Sequence, residues 1–247
     1  MLPGAPAVDD FVRQVALSVG RGCAIVVGGV GARRVDPATI AVGNPLLVVH
    51  CPGERAVAAI VAGLRAAGRL HTDGLAAIPN LIFSVDGVVA RTREEFSVAP
   101  LHLVPSAEGL SQALDRRDVV SLSTSVGCNG HCTFCSVKCV TCSWSWHPRE
   151  RAVLAQWLRK IVAAGARPGM VVNIVDDAMA TTVEHLEMVT DVVAATNATT
   201  GASLKFRCST RVDHVVNPKD TAEARARRRA AWEAAAGTFH AEAEGLP

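Results

Sequence analysis

Residues 121–142, Ser-Leu-Ser-Thr-Ser-Val-Gly-Cys-Asn-Gly-His-Cys-Thr-Phe-Cys-Ser-Val-Lys-Cys-Val-Thr-Cys, restrict this chain most, because they hold five of its eight cysteines. Cys128, Cys132 and Cys135 form a C-x3-C-x2-C run, with Phe134 directly before the third thiol. Three thiolates so close on one loop can hold three corners of a [4Fe-4S] cube, and no fourth ligand stands at a matching distance. One iron is then open to a substrate, unlike the closed four-cysteine clusters that only pass electrons. Gly127 and Gly130 suit a backbone that must turn tightly and approach a cluster closely.

Other readings of the run compete with this one. Cys135, Cys139 and Cys142 repeat the spacing, but Thr141 stands where the aromatic should be. In the first register Cys139 and Cys142 are extra thiols, for packing or for ligating something else. A zinc site is the second reading, since Cys132-x2-Cys135 and Cys139-x2-Cys142 make two C-x2-C pairs, although the gap between them is far shorter than in fingers or ribbons. A disulfide knot is the third. It conflicts with residues 1–10, which lack the basic and apolar regions of a signal peptide. Clustered cysteines without an export signal point to metal in a reducing compartment, so a cytoplasmic protein is expected. Under the same expectation, the sequon Asn197-Ala-Thr199 is a chance match.

Composition narrows the partners. Hydrophobic residues are 49% and charged residues 19%, enough apolar matter for a core. A net charge of +2 is too small to argue for nucleic acid or an anionic membrane. No run approaches the roughly 18 apolar residues of a membrane span.

Along the chain, apolar positions 11, 12, 15, 16 and 19 predict a helix over 9–19. Ala24–Val27 and Leu46–His50 are short apolar runs suited to buried parallel strands. The first is closed by Gly28-Gly29; after the second, Cys51-Pro-Gly-Glu54 leads into a helix from Arg55 to Ala67 that stops at Gly68. Gly28-Gly29-Val-Gly31 matches neither G-x-G-x-x-G nor the P-loop, and its plain meaning is a tight strand-end turn. Ile78–Arg91 is a hairpin around Asp86-Gly87, a two-residue I′ turn. Ala99-Pro and Val104-Pro mark a linker. Strands are then expected at 119–124, 170–175 and 204–208, with helices at about 149–164 and from a capping box at Thr181-Thr-Val-Glu184. Repeated strand–helix–strand units imply parallel strands and the beginning of a β/α barrel, whose chemistry sits at the carboxyl ends of the strands. That picks out Asp176, Asp177, Ser209, Thr210 and Arg211.

With C-x3-C-x-Phe-C following a strand, the chain resembles the radical S-adenosylmethionine (SAM) enzymes. Val26-Val-Gly-Gly29, the later Gly53-Glu54 and the "Pro, apolar run, Asp-Gly, apolar run, Arg" hairpin resemble the subfamily with a cobalamin-binding domain. Together these likenesses cover roughly residues 24–215. The resemblance implies an α/β chain in which the C-terminal part of a Rossmann-like cobalamin-binding domain (1–75) is followed by a hairpin and linker (76–117). A partial β/α radical SAM barrel (118–215) and an Ala/Arg-rich tail (216–247) complete it.

The resemblance further implies that Cys128, Cys132 and Cys135 bind a [4Fe-4S] cluster whose open iron chelates SAM. Phe134, Asp176, Asp177 and Arg211 are the implied SAM contacts: the carboxylates for its amino group, and the guanidinium, which can grip in a bidentate way, for its carboxylate. For Asp176 and Asp177 loop solubility, and for Arg211 an ion pair with Asp213, are the plain alternatives. Gly28, Gly29, Gly53 and Glu54 are the implied cobalamin contacts. Implied partners are a small-molecule or peptide substrate and an electron donor such as flavodoxin or ferredoxin, with no nucleic acid and no membrane. The implied reaction is methyl transfer to an unactivated carbon. Cobalamin-independent chemistry, an inactive cluster-binding remnant and a zinc module are the alternatives.

The chain departs from the family in three ways. The D-x-H-x-x-G loop, whose histidine ligates cobalt, is absent. The upstream strands of that domain are missing, and the Ala224–Ala236 stretch is expected to bury little. Truncation at both ends, with an unrelated tail, is the expectation. His50, His131 and Cys208 are read as packing or loop residues.

Overall fold

The computed structural model describes residues 5–20, 23–29, 32, 35–38, 40, 43–50, 53–95, 103–116, 119–130, 132–133, 135 and 145–238. Gly31, His131, Phe134, Cys139 and Cys142 lie outside the described residues. The chain divides into two units: residues 1–100 with 131–144, and residues 101–130 with 145–247.

The first unit is built on a four-stranded sheet in the order β1 (Ile25–Val27), β2 (Leu46–Val49), β3 (Leu81–Val85) and β4 (Val88–Arg91). β1 and β2 are parallel, with Ile25 opposite Leu46, as their apolar runs predict. All four residues of β2 are buried because the strand is covered on both faces. Leu47 and Val49 pack with Ala56 and Ile60 of α2 (Glu54–Ala67) and with Leu75 of α3 (Thr72–Ala76). Leu46 and Val48 pack with Val12 of α1 (Ala5–Ser18), Val35 and Ile40. Each such buried side chain contributes roughly 1.5–3 kcal/mol. α2 ends where Gly68, at φ +71°, donates its N–H to the Leu64 carbonyl.

The hairpin turns as its sequence requires: Asp86 and Gly87 lie at φ +50° and +79°, the two positive values of a I′ turn. Its place differs from expectation. β3 pairs antiparallel with β2, Leu47 opposite Phe83, so the hairpin belongs to the first sheet and is no linker. Phe83, Leu81 and Val85 need cover, and the α2 side of the sheet supplies it.

The second unit carries a parallel sheet in the order β5 (Val119–Leu122), β8 (Val171–Ile174), β9 (Lys205–Cys208). Between β5 and β8 run β6 (Ser125–Val126), the cysteine loop, β7 (His147–Pro148) and α5 (Arg151–Ala163). β6 and β7 pair antiparallel, Val126 opposite His147, so the loop leaves and returns at one place. α6 (Val183–Thr200) links β8 to β9. Its cap is Thr182, whose hydroxyl accepts from the His185 N–H, one residue later than the box at Thr181 predicts.

Two helices depart from the sequence reading. α4 (Ala107–Arg116) stands inside the expected linker, started by the Ser106 hydroxyl on the Gly109 N–H and buried through Leu110. After the short α7 (Val212–Val215), α8 (Ala222–Ala236) docks on the core through Ala231 and Ala235, where expectation had a solvated tail. Alanine lets two helices approach closely and gives up no side-chain entropy on burial. Beyond α8 the chain returns beside β9: the Thr238 carbonyl accepts from the Phe206 N–H, and the Gly237 carbonyl from Lys205 Nζ.

Candidate functional site

The cysteine loop starts at the carboxyl end of β5, and residues 123–126 are held there. Arg149 is only 3% exposed. Its Nε donates to the Ser123 carbonyl at 2.8 Å, Nη2 to Ser123 Oγ at 3.2 Å and Nη1 to the Leu103 carbonyl at 3.1 Å. Its guanidinium lies 4.7 Å from the Trp157 ring centre, and its backbone N–H donates to the Thr124 carbonyl. Burial pulls the Arg149 pKa down, and the Asp176 charge pushes it back up.

Asp176 follows β8 and is 9% exposed. Oδ1 accepts the Thr124 N–H at 2.6 Å; Oδ2 accepts the Thr124 hydroxyl at 2.5 Å and the Ser125 hydroxyl at 2.7 Å. Burial raises its carboxyl, and these donors oppose the rise. Asp177 is an exposed residue whose carboxyl partial desolvation raises, with the Gly127 backbone opposing the rise. Thr124 Oγ1 also lies 2.9 Å from Nε2 of His185, whose ring meets Trp146 edge-on at 5.1 Å. Burial lowers the His185 pKa to about 4, so the ring is neutral at pH 7. The Thr124 hydroxyl has one proton, taken here by Asp176, which assigns the imidazole proton to Nε2.

The glycines in the loop have steric reasons. Gly127 lies at φ +85°, and a Cβ on it would stand 2.1 Å from the Ser145 carbonyl oxygen. A Cβ on Gly130 would stand 2.6 Å from Arg211 Nη1 and 3.2 Å from Cys128 Sγ. The Gly130 N–H donates to Cys128 Sγ at 3.2 Å. Arg211 makes the ion pair that its sequence neighbour allows: Nε to Asp213 Oδ1 at 2.9 Å and Nη2 to Oδ2 at 3.0 Å.

The structure therefore gathers Cys128, Gly130 and Arg211, and separately Asp176 with Thr124 and Ser125. Cys128, Cys132 and Cys135 carry free, partly exposed thiols. Among the described residues no three His, Cys, Asp or Glu side chains converge as a metal-ligand set. The setting of Cys128 nevertheless fits a cluster ligand, since the Gly130 N–H on its sulfur and the Arg211 guanidinium near Gly130 are the kind of supporting contacts such a ligand takes. Cys208 is a partly buried strand thiol whose pKa desolvation, and secondarily Asp176, push up to about 11. Sequence reasoning missed Arg149 and His185. The helix-opening position of Arg149 and the Thr182-x-x-His185 spacing were the available signals.

In the first unit Gly28 and Gly29 end β1, and Gly53 and Glu54 open α2 after β2. Both turns lie at the carboxyl edge of the parallel pair, where open α/β sheets take ligands. Gly29 is at φ +96°, and open space surrounds the Cβ positions of Gly28 and Gly29. His50 is buried at the end of β2, with Nδ1 3.7 Å from Glu94 Oε1.

No family model matches this chain, and no curated protein matches it. Solved structures do. The cobalamin-dependent SAM radical enzyme OxsB, with aqua-cobalamin and SAM bound, is 19% identical with a TM-score of 0.67 over 94% of this chain and 32% of its own. The radical SAM methyltransferase TsrM from Kitasatospora setae, with cobalamin and a [4Fe-4S] cluster bound, is 17% identical with a TM-score of 0.58 over 90% of this chain and 43% of its own. The chain thus spans about a third of one neighbour and under half of the other. Its mixed α/β fold is that of cobalamin-dependent radical SAM enzymes, shared over most of its length.

Proposed function

We propose that this chain belongs to a radical SAM enzyme that uses cobalamin to transfer a methyl group to an unactivated carbon. The observation that carries the proposal is Cys128. It leaves the carboxyl end of a parallel strand with an N–H on its sulfur and the Arg211 guanidinium beside it, and it opens a C-x3-C-x2-C loop. Cys128, Cys132 and Cys135 hold the [4Fe-4S] cluster. When bound, the cluster supplies one electron to SAM at its open iron, yielding methionine and a 5′-deoxyadenosyl radical.

The chain's own residues prepare that step. Arg211 leaves Asp213 to grip the SAM carboxylate, a bidentate pairing it already makes. The stretch that follows β8, at Asp176 and Asp177, is the place for acceptors of the SAM ammonium, a role that its backbone carbonyls can fill. Phe134 flanks the third cysteine ligand. Gly28, Gly29, Gly53 and Glu54 take cobalamin at the carboxyl edge of β1 and β2, where glycine leaves room for a large ligand. A small molecule or peptide is the substrate, and a flavodoxin or ferredoxin is the electron source.

Anaerobic reconstitution with iron, sulfide and hydroxocobalamin tests this. The expected result is one [4Fe-4S] cluster and one cobalamin per chain, with the cluster lost in Cys128→Ala and cobalamin kept. Cluster uptake without cobalamin would reduce the reading to a cobalamin-independent protein. A colourless protein holding stoichiometric zinc would overturn it.

A further inference from the structure

Asp176 first attracts notice as a carboxylate for an ammonium, yet the structure occupies it otherwise. Asp176 meets three donors from Thr124 and Ser125, all within 2.7 Å. Arg149 takes the Ser123 carbonyl and hydroxyl. We propose that Asp176 and Arg149 are positioning residues that clamp Ser123–Ser125 and so set where Cys128 presents its sulfur. This deepens the reading above, on which it rests for the identity of the cluster.

The physical reason is the irregular backbone. After Leu122 the chain leaves the β5–β8 ladder, so its N–H and carbonyl groups need other partners. Ordinary loops leave them to water. Here a buried anion and a buried cation take them, and charge-assisted hydrogen bonds are about twice as strong as neutral ones. Both charges also reach the loop from elements distant in sequence, with Asp176 52 residues beyond Thr124 and Arg149 26 beyond Ser123. The clamp therefore forms only once β8 and α5 are in place beside β5. A cluster ligand held this way has its geometry fixed before iron arrives, as supporting hydrogen bonds do at other metal sites.

Amide hydrogen exchange on the metal-free protein reads the clamp without any cluster. In Asp176→Ala the Thr124 amide, which donates to Oδ1, should exchange at least about tenfold faster, the value of a lost hydrogen bond to a charged group. Asp176→Asn, whose Oδ1 still accepts that N–H, should keep most of the protection. Ser125→Ala removes one donor and leaves the buried carboxyl in place, so it reads the clamp even where the fold does not survive Asp176→Ala. On reconstituted protein both alanine variants should release iron to a chelator faster than wild type, Asp176→Ala the more so. Unchanged Thr124 exchange in Asp176→Ala, or wild-type iron release in Ser125→Ala, would overturn the proposal. So would an Asp176 variant that keeps its iron and loses only its response to SAM, which would make Asp176 an ammonium ligand. Failure of the wild type to take up iron, with the exchange pattern as stated, would overturn the functional reading and leave the clamp standing.

Discussion

At the carboxyl ends of β1 and β2 the chain turns on Gly28-Gly29 and Gly53 with open space around the first two. At the ends of β5 and β8 it turns on Asp176 and Arg149, which engage polar groups of Ser123, Thr124 and Ser125. Both edges belong to parallel strands, and such edges take ligands. The difference suits the two occupants proposed above. A large, flat cofactor needs room, which glycine leaves. A small cluster with three ligands on one loop needs the loop's backbone fixed, which requires buried charge and matched hydrogen bonds.

A glycine pair makes the sharpest contrast. Gly127→Ala forces a Cβ into the Ser145 carbonyl at a positive φ, and Gly28→Ala meets nothing within 4 Å. The first should destabilise the second unit by about 3–5 kcal/mol, combining strain and overpacking. The second should stay within about 0.5 kcal/mol and act on cobalamin uptake instead. Denaturant unfolding of both variants checks this. Equal costs would erase the distinction between the two edges.

The pinned edge should also depend on acid. Folding lowers the His185 pKa from 6.5 to about 4, so the unfolded chain takes the proton first as pH falls. The contribution is complete above about pH 6.5 and is lost between there and pH 4, about 3 kcal/mol in all. Thr124, Trp146 and, through Thr124, Asp176 face the ring. The raised Asp176 carboxyl works in the opposite sense, giving stability that fades as pH rises through its folded pKa. The wild-type minus His185→Gln difference therefore isolates the imidazole. Between pH 7.5 and 5 the wild type should lose about 2 kcal/mol more stability than the variant, so its two unfolding midpoints should lie further apart, and parallel curves would refute the assignment.

A smaller effect belongs to the start of α6. Thr182→Ala should cost about 1 kcal/mol and Thr181→Ala less, because the Thr182 hydroxyl accepts the His185 N–H whereas Thr181 Oγ1 donates to the Ala178 carbonyl. Thermal unfolding of the pair separates them.

What the sequence made legible was local. The apolar runs of β1, β2, β8 and β9, the Gly68 stop and the Asp86-Gly87 turn depend on neighbours in the chain, and all appear as expected. Residues whose role is set by distant partners were misjudged or overlooked. Arg149 looks like a helix-opening arginine until Ser123 and Trp157 stand beside it. Ala231 and Ala235 look solvated until α6 covers them. Asp176 looks like a free strand-end carboxylate until Thr124 and Ser125 reach it. α4 was hidden by its proline-marked approach, although Ser106 and the Leu110–Leu114 spacing carry the helical signal.

Cys128, Cys132 and Cys135 are proposed to hold a cluster with one iron open to SAM. Low-temperature EPR of the reduced, reconstituted chain, with and without SAM, is the experiment that decides this. The expected result is a [4Fe-4S]⁺ signal that changes on adding SAM and is absent from Cys132→Ala. A signal indifferent to SAM, or one that survives Cys132→Ala, would overturn the assignment.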